Sequence, residues 1–160
     1  MPIDPAALVQ LIEAGRVPPQ EWIAQIVELR LERSYVTDLR PVAALTALRR
    51  LVLTRARISD IAPLSALTGL EHLHLSFTAV ADVTPLAAMR GLLCCFLTGS
   101  LVADAVPLAG LLRLERLDLG DTPVADVSPL AALGALESLD LSGTRVADVA
   151  PLSALTRLRY

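Results

Sequence analysis

The sequence predicts an α/β solenoid: parallel-stranded turns of 22 residues stacked behind an N-terminal helical cap. An aspartate ladder, a proline ladder and a set of apolar columns carry that expectation. Asp38, Asp60, Asp82, Asp104, Asp126 and Asp148 recur at one constant step. Pro41, Pro63, Pro85, Pro107, Pro129 and Pro151 repeat it three places later. A fixed period between about 20 and 50 residues signals stacked units that bury a shared core.

The apolar columns share this period. Leu29, Leu51, Leu73, Cys95, Leu117 and Leu139 form one, and Leu31, Leu53, Leu75, Leu97, Leu119 and Leu141 form another two places on. Residues two apart on a strand share a face, so these point inward and their neighbours outward. Val36, Ile58, Val80, Val102, Val124 and Val146 line the turn that follows. Leucines such as Leu64, Leu67 and Leu70 line the returning segment. Every turn runs the same way round, so the strands must be parallel. The Asp column is expected to accept backbone N–H groups where the chain turns, and Pro to open each short helical or 3₁₀ segment.

At 160 residues the chain fits one domain, divided here into a cap over 1–27 and continuous repeats over 28–160. Asp4 can cap a first helix that has Pro5 at its first position. Ala7, Leu8, Leu11 and Ile12 follow at helical spacing. Gly15 can end that helix, and Pro18-Pro19 prevents its continuation. A second short helix is expected from Pro19 to about Val27, burying Trp22, Ile23 and Ile26 over the first turn.

Composition narrows the function classes. The chain is 54% hydrophobic but 3% aromatic, so Leu, Val and Ala must build the core. A net charge of −3 offers no basic face for nucleic acid and no general anchor for a membrane surface. Between Arg90 and Arg113 the one charge is Asp104, but Pro107 and the unbroken register oppose a spanning helix. Met1-Pro2-Ile3-Asp4-Pro5 does not read as a signal peptide. The adjacent Cys94 and Cys95 cannot form a framework of loop-closing bridges. Together these features point to a reducing, cytoplasmic setting.

The pattern L-x-x-L-x-L-x-x-(T/S)-x-V-x-D-V-x-P-L-x-x-L, held from about Ile23 to Leu158, resembles the leucine-rich repeat family. The length and the D-(V/I)-x-P-L signature resemble the subclass found in bacterial internalins and in a eukaryotic protein-phosphatase regulatory subunit. This resemblance implies a parallel sheet on a concave face, short helical or 3₁₀ segments on a convex face, and recognition of a protein partner. That family carries Asn, sometimes Cys, at the turn after the strand. Here the column reads Ser34, Ala56, Thr78, Ser100, Thr122 and Thr144. A hydroxyl donates once where an amide donates twice, so this turn is expected to be less fully satisfied, or to use water.

The outward columns point to a binding surface. Arg30, Arg33, Arg50 and Arg55 lie in early turns, while Asp118, Asp121 and Asp140 lie in late ones. The aromatic residues of the face, Phe77 and Phe96, fall between them beside His72 and His74. Leu93, Leu101 and Leu112 add apolar groups to the fourth turn, and exposed apolar clusters mark interaction sites. The candidate partner-binding residues are therefore His72, His74, Phe77, Phe96, Arg116 and Asp118. The expected function is a non-catalytic protein-interaction module. The alternative is a self-associating solenoid, or a fragment of a larger signalling or effector protein. It would use an unpaired edge over Glu137–Leu141 and could dimerise there, because no closing cap follows Leu158-Arg159-Tyr160.

No cofactor, metal or catalytic group is expected. His72, His74 and Cys94 are zinc-type ligands, but a fourth is missing and a flat sheet splays them. The Asp ladder gives one carboxylate per turn, whereas calcium takes about 6–8 oxygens. Both histidines fall on one strand, no serine forms an evident triad, and Thr98-Gly99-Ser100 reads as the repeat's turn rather than a phosphate loop.

Overall fold

A computed structural model describes residues 3–159; the readings made at Met1, Pro2 and Tyr160 lie outside it. Strands β1 (Glu28–Arg30), β2 (Arg50–Val52), β3 (His72–His74), β4 (Cys94–Phe96), β5 (Arg116–Asp118) and β6 (Ser138–Asp140) form one sheet in chain order. All pairs are parallel, and every residue faces the one 22 places later. The middle residue of each strand is buried, so successive turns deliver one leucine, or Cys95, onto the last.

Hydrogen bonds extend the ladder on both sides of the strands. Leu31, Leu53, Leu75, Leu97 and Leu119 donate their N–H groups forward to the next turn at 2.8–2.9 Å. Arg49, Glu71, Leu93, Glu115, Glu137 and Arg159 donate back to the previous one at 2.8–2.9 Å. The last of these bonds, Arg159 to Glu137, revises the expectation of a wholly unpaired edge over Glu137–Leu141. The chain begins to lie along that edge before the described residues end.

The return segments follow the Asp-Pro signature. Helix α3 (Arg40–Ala43) forms the first, and 3₁₀ segments Ala62–Ala66, Thr84–Ala88, Val106–Leu108, Ser128–Ala132 and Ala150–Ala154 form the others. Each ladder Asp accepts the N–H two residues on, at 2.8–2.9 Å. That N–H opens the segment and has no partner within it. At Asp126, hydrogen bonds from the Ser128 backbone and then its hydroxyl hold the carboxyl below its ordinary range.

The cap differs in part from expectation. Helix α1 (Pro5–Glu13) starts as predicted, with Asp4 accepting from Ala6 at 3.0 Å, and buries Leu8 and Ile12. Helix α2 is Gln20–Ile23, shorter than the stretch to Val27. The Val27 carbonyl instead accepts from Arg49 and Arg50, which draws the chain into the ladder. Ile26 is buried, but Trp22 and Ile23 are only partly so.

A further capping device has no local signature in the sequence. In later turns Ala79, Leu101 and Arg145 donate their N–H groups to a carbonyl of the preceding turn. Tyr35 has no preceding turn, and its N–H donates to the Glu13 carboxylate at 3.1 Å.

The hydroxyl column divides by residue. Thr78, Thr122 and Thr144 donate to the carbonyl three residues back at 2.6–2.7 Å. Ser34 and Ser100 are buried with no partner for their hydroxyl oxygens. The turn is thus satisfied within its own repeat where Thr stands. Thr122→Val should therefore cost about 1 kcal/mol. Ser100→Ala should be neutral or stabilising, because it removes an unpaired buried hydroxyl. Urea denaturation of the two variants measures both.

Candidate functional site

The sheet face is built from the two flanking residues of each strand. Register places His72 between Arg50 and Cys94, with Arg116 one strand beyond. It places His74 between Val52 and Phe96, followed by Asp118 and Asp140. The His74 ring stacks on Phe96, with centroids 4.5 Å apart and planes 18° from parallel. Val52 and Cys94 belong to outward columns yet are buried. The middle of the face therefore presents the His74–Phe96 pair rather than a row of separate side chains.

Burial lowers the pKa of His74, and Arg50 and then His72 lower it further. Its Nε2 is buried without a hydrogen-bond partner. His72 is lowered for similar reasons, burial first and then Arg50. Burial raises the Cys94 thiol and pushes Cys95 up to about 12. Neither thiol is a ready thiolate ligand, and among the described residues no three His, Cys, Asp or Glu side chains gather as a metal site.

Phe77 does not sit on a strand. It occupies the residue after the strand's extension, where the backbone is left-handed in every turn. The φ values there are 57° at Arg33, 61° at Arg55, 58° at Phe77, 63° at Gly99, 53° at Asp121 and 67° at Gly143. L-residues adopt this conformation at a cost of about 1–2 kcal/mol, which glycine escapes. Side chains in this column lean over the next turn. The Arg55 guanidinium lies 5.1 Å from the centre of the Phe77 ring. Phe77 in turn covers Gly99, where a Cβ would meet Cδ1 at 2.6 Å. The Asp121 carboxylate fills the space above Gly143. Phe77 remains 49% exposed.

Phe96, Arg116 and Asp118 converge on a shallow depression of about 520 Å³, together with Glu137, Asp140 and Arg159. Asp118 and Asp140 each use Oδ1 to accept the N–H two residues on, Gly120 at 2.9 Å and Ser142 at 2.8 Å. Of the six candidates, the structure thus joins His74 to Phe96, and Phe96 to Arg116 and Asp118. His72 lies alongside in the neighbouring column, and Phe77 stands apart at the left-handed turn. Asp140, Glu137 and Arg159 were not among the candidates. Their signal was columnar, since Asp140 follows Asp118 and Arg159 follows Glu137 at the repeat step.

Comparison with solved structures gives close geometric matches. Internalin C2 of Listeria monocytogenes superposes with a TM-score of 0.80 at 30% identity, over 89% of this chain and 64% of that one. The chain is a leucine-rich-repeat solenoid. Another Listeria monocytogenes internalin, inlF, matches with a TM-score of 0.73 at 27% identity, over 98% of this chain and 53% of that one. A leucine-rich-repeat protein of Leptospira interrogans matches with a TM-score of 0.80 at 19% identity, over 89% of this chain and 38% of that one. This leucine-rich-repeat chain thus spans less than two thirds of each of those proteins. No family model matches it, and no curated protein does. Among the described residues of this leucine-rich-repeat solenoid, no helix is long and apolar enough to cross a membrane.

Two outcomes follow from this geometry. Neutral His74 is favoured in the folded state, so the unfolded chain binds the proton more readily. Stability should be full above the unfolded histidine pKa of about 6.5 and fall as acid is added below it. His74→Phe should reduce that loss, read as the change in urea midpoint between about pH 7.5 and 5. Gly99→Ala adds a left-handed penalty of about 1 kcal/mol and a collision with Phe77. Adding Phe77→Ala should relieve the collision, so a double-mutant cycle should show coupling between the two sites.

Proposed function

We propose that this solenoid is a non-catalytic protein-interaction module whose sheet face binds a partner across His74, Phe96 and Phe77, flanked by His72, Arg116 and Asp118. The observation that carries this reading is the His74–Phe96 stack opening onto the neighbouring depression. A rigid aromatic pair with charged neighbours is the kind of anchor that dominates binding energy. The likeness to internalins agrees with an interaction role. Segment 1–27 then acts as a cap and 28–160 as the display surface. The free, buried Cys94 and Cys95 suit a reducing cytoplasm. No nucleic-acid or membrane partner is part of this reading.

A specific observation favours a second reading, self-association at the C-terminal edge. Leu119, Val124 and Val127 are sealed by the turn above them. In the last turn Leu141 and Val146 are only partly buried, and Val149 is 59% exposed.

Selection from a displayed library of random dodecapeptides tests the first reading. Binders should be enriched on the native protein and lost on Phe77→Ala/Phe96→Ala. Binders that hold equally well to that variant would place recognition elsewhere. Light scattering across concentrations tests the second: a dimer weakened by Val149→Asp supports it, and a monomer throughout ends it.

A further inference from the structure

Four of the six left-handed positions in the turn column carry side chains that glycine would spare from strain: Arg33, Arg55, Phe77 and Asp121. Gly99 stands where the Phe77 ring leaves no room for a Cβ, and Gly143 where the Asp121 carboxylate leaves none. The column is therefore not a turn filled at random. It tolerates strain wherever it can project a charge or an aromatic ring, and becomes glycine directly after Phe77 and Asp121. Strained residues held in this way collect at functional surfaces.

Beside it runs the outer strand column of Arg30, Val52, His74, Phe96, Asp118 and Asp140. The two columns have the same order. One runs from Arg30 through apolar Val52, His74 and Phe96 to Asp118 and Asp140, and the other from Arg33 and Arg55 through Phe77 and Gly99 to Asp121. Arg30 is neutralised by Glu28 at 2.8 Å and Glu32 at 3.5 Å, which leaves Arg33 and Arg55 as the effective basic end. Among the described residues, neither they nor Asp118, Asp121 and Asp140 enter an ion pair. Arg116 and Arg159 stand beside the acidic end, but in other columns. Unpaired, segregated charges on either side of an aromatic island favour a partner with the opposite order.

From this order we infer that the stripe receives an extended protein segment of matching polarity. An acidic residue would lie over Arg33 and Arg55. An aromatic or aliphatic residue would cover His74–Phe96 and Phe77, and a lysine or arginine would lie over Asp118 and Asp121. The inference rests on the sheet-face reading above and adds the partner's chemistry to it. From Arg33 in the first turn to Asp121 in the fifth the stripe crosses four spacings, roughly 19 Å. An extended segment of about six residues covers that distance.

The test uses three fluorescein-labelled octapeptides against the whole chain at low salt. The first, Asp-Glu-Gly-Phe-Leu-Gly-Arg-Lys, has segregated charge. The second, Asp-Arg-Gly-Phe-Leu-Gly-Lys-Glu, has the same composition with each end neutral. The third, Asp-Glu-Gly-Phe-Leu-Gly-Asp-Glu, is acidic at both ends. Fluorescence anisotropy should show the segregated peptide bound about tenfold more tightly than the mixed one, with the gap closing as salt is raised. Asp118→Arg/Asp121→Arg should switch the preference to the doubly acidic peptide. Position 121 tolerates arginine, since Arg33 and Arg55 already occupy that column. Asp118→Asn/Asp121→Asn provides a milder pair that should only erase the preference. Equal binding of all three peptides, lost on Phe77→Ala/Phe96→Ala, would overturn the charge order while leaving the sheet-face reading intact. Failure of the native chain to bind any of them would also overturn the inference, and the library selection would then judge the sheet-face reading separately.

Discussion

Everything in this molecule depends on one translational constraint: each turn must repeat the last so that main-chain groups meet main-chain groups. The bonds that Leu31, Leu53, Leu75, Leu97 and Leu119 send forward form only if the next turn has the same length and shape. A parallel ladder has no hairpins to absorb an error. A slip of one residue would send every inward leucine to solvent. The invariant step of the Asp and Pro columns is the sequence-level trace of this requirement. So is the near-absence of aromatic residues from the interior, since a large ring in one turn would need space in two others. Cys95 in the leucine column is a small substitution that the stack accommodates without losing register.

Much of the fold was therefore legible beforehand. Periodicity alone placed the strands, their parallel order, the Asp-capped return segments and the buried columns. The capping helix α1 was legible because Asp4 and Pro5 are local signals. The parts that were not legible rest on contacts without a local signature. The Glu13 carboxylate standing in for a missing carbonyl is visible only once α1 lies against the first turn. The early end of α2 accompanies the entry of Val27 into the ladder, where its carbonyl accepts from Arg49 and Arg50, two bonds formed across one repeat. Ser and Thr look alike in the turn column, yet the structure satisfies one and orphans the other.

The candidate site was legible as columns but not as contacts. Reading outward residues at the repeat step put His74 beside Phe96 and Phe96 beside Asp118, as the register does. It did not show that His74 and Phe96 stack, or that Val52 and Cys94 are buried between their neighbours. It also treated Phe77 as one more sheet residue. The left-handed backbone there is a property of the turn, and no side-chain pattern announces it when four of six residues are not glycine. The same scaffold therefore carries two kinds of outward position. One is rigid on strands, and the other is strained at turns, where the residue's identity is a costlier choice.

The leaning of the left-handed side chains over the next turn imposes a grammar on the sequence. A residue in that column is not chosen independently of the one 22 places later, because it occupies that residue's space. An aromatic ring dictates glycine after it, as from Phe77 to Gly99, whereas an arginine can be followed by a ring that it covers, as from Arg55 to Phe77. Such a chain cannot be shuffled turn by turn, even though its turns are interchangeable in backbone and core. Homologues should show covariation at a lag of one repeat in this column, and designers exchanging repeats would have to move these residues as adjacent pairs.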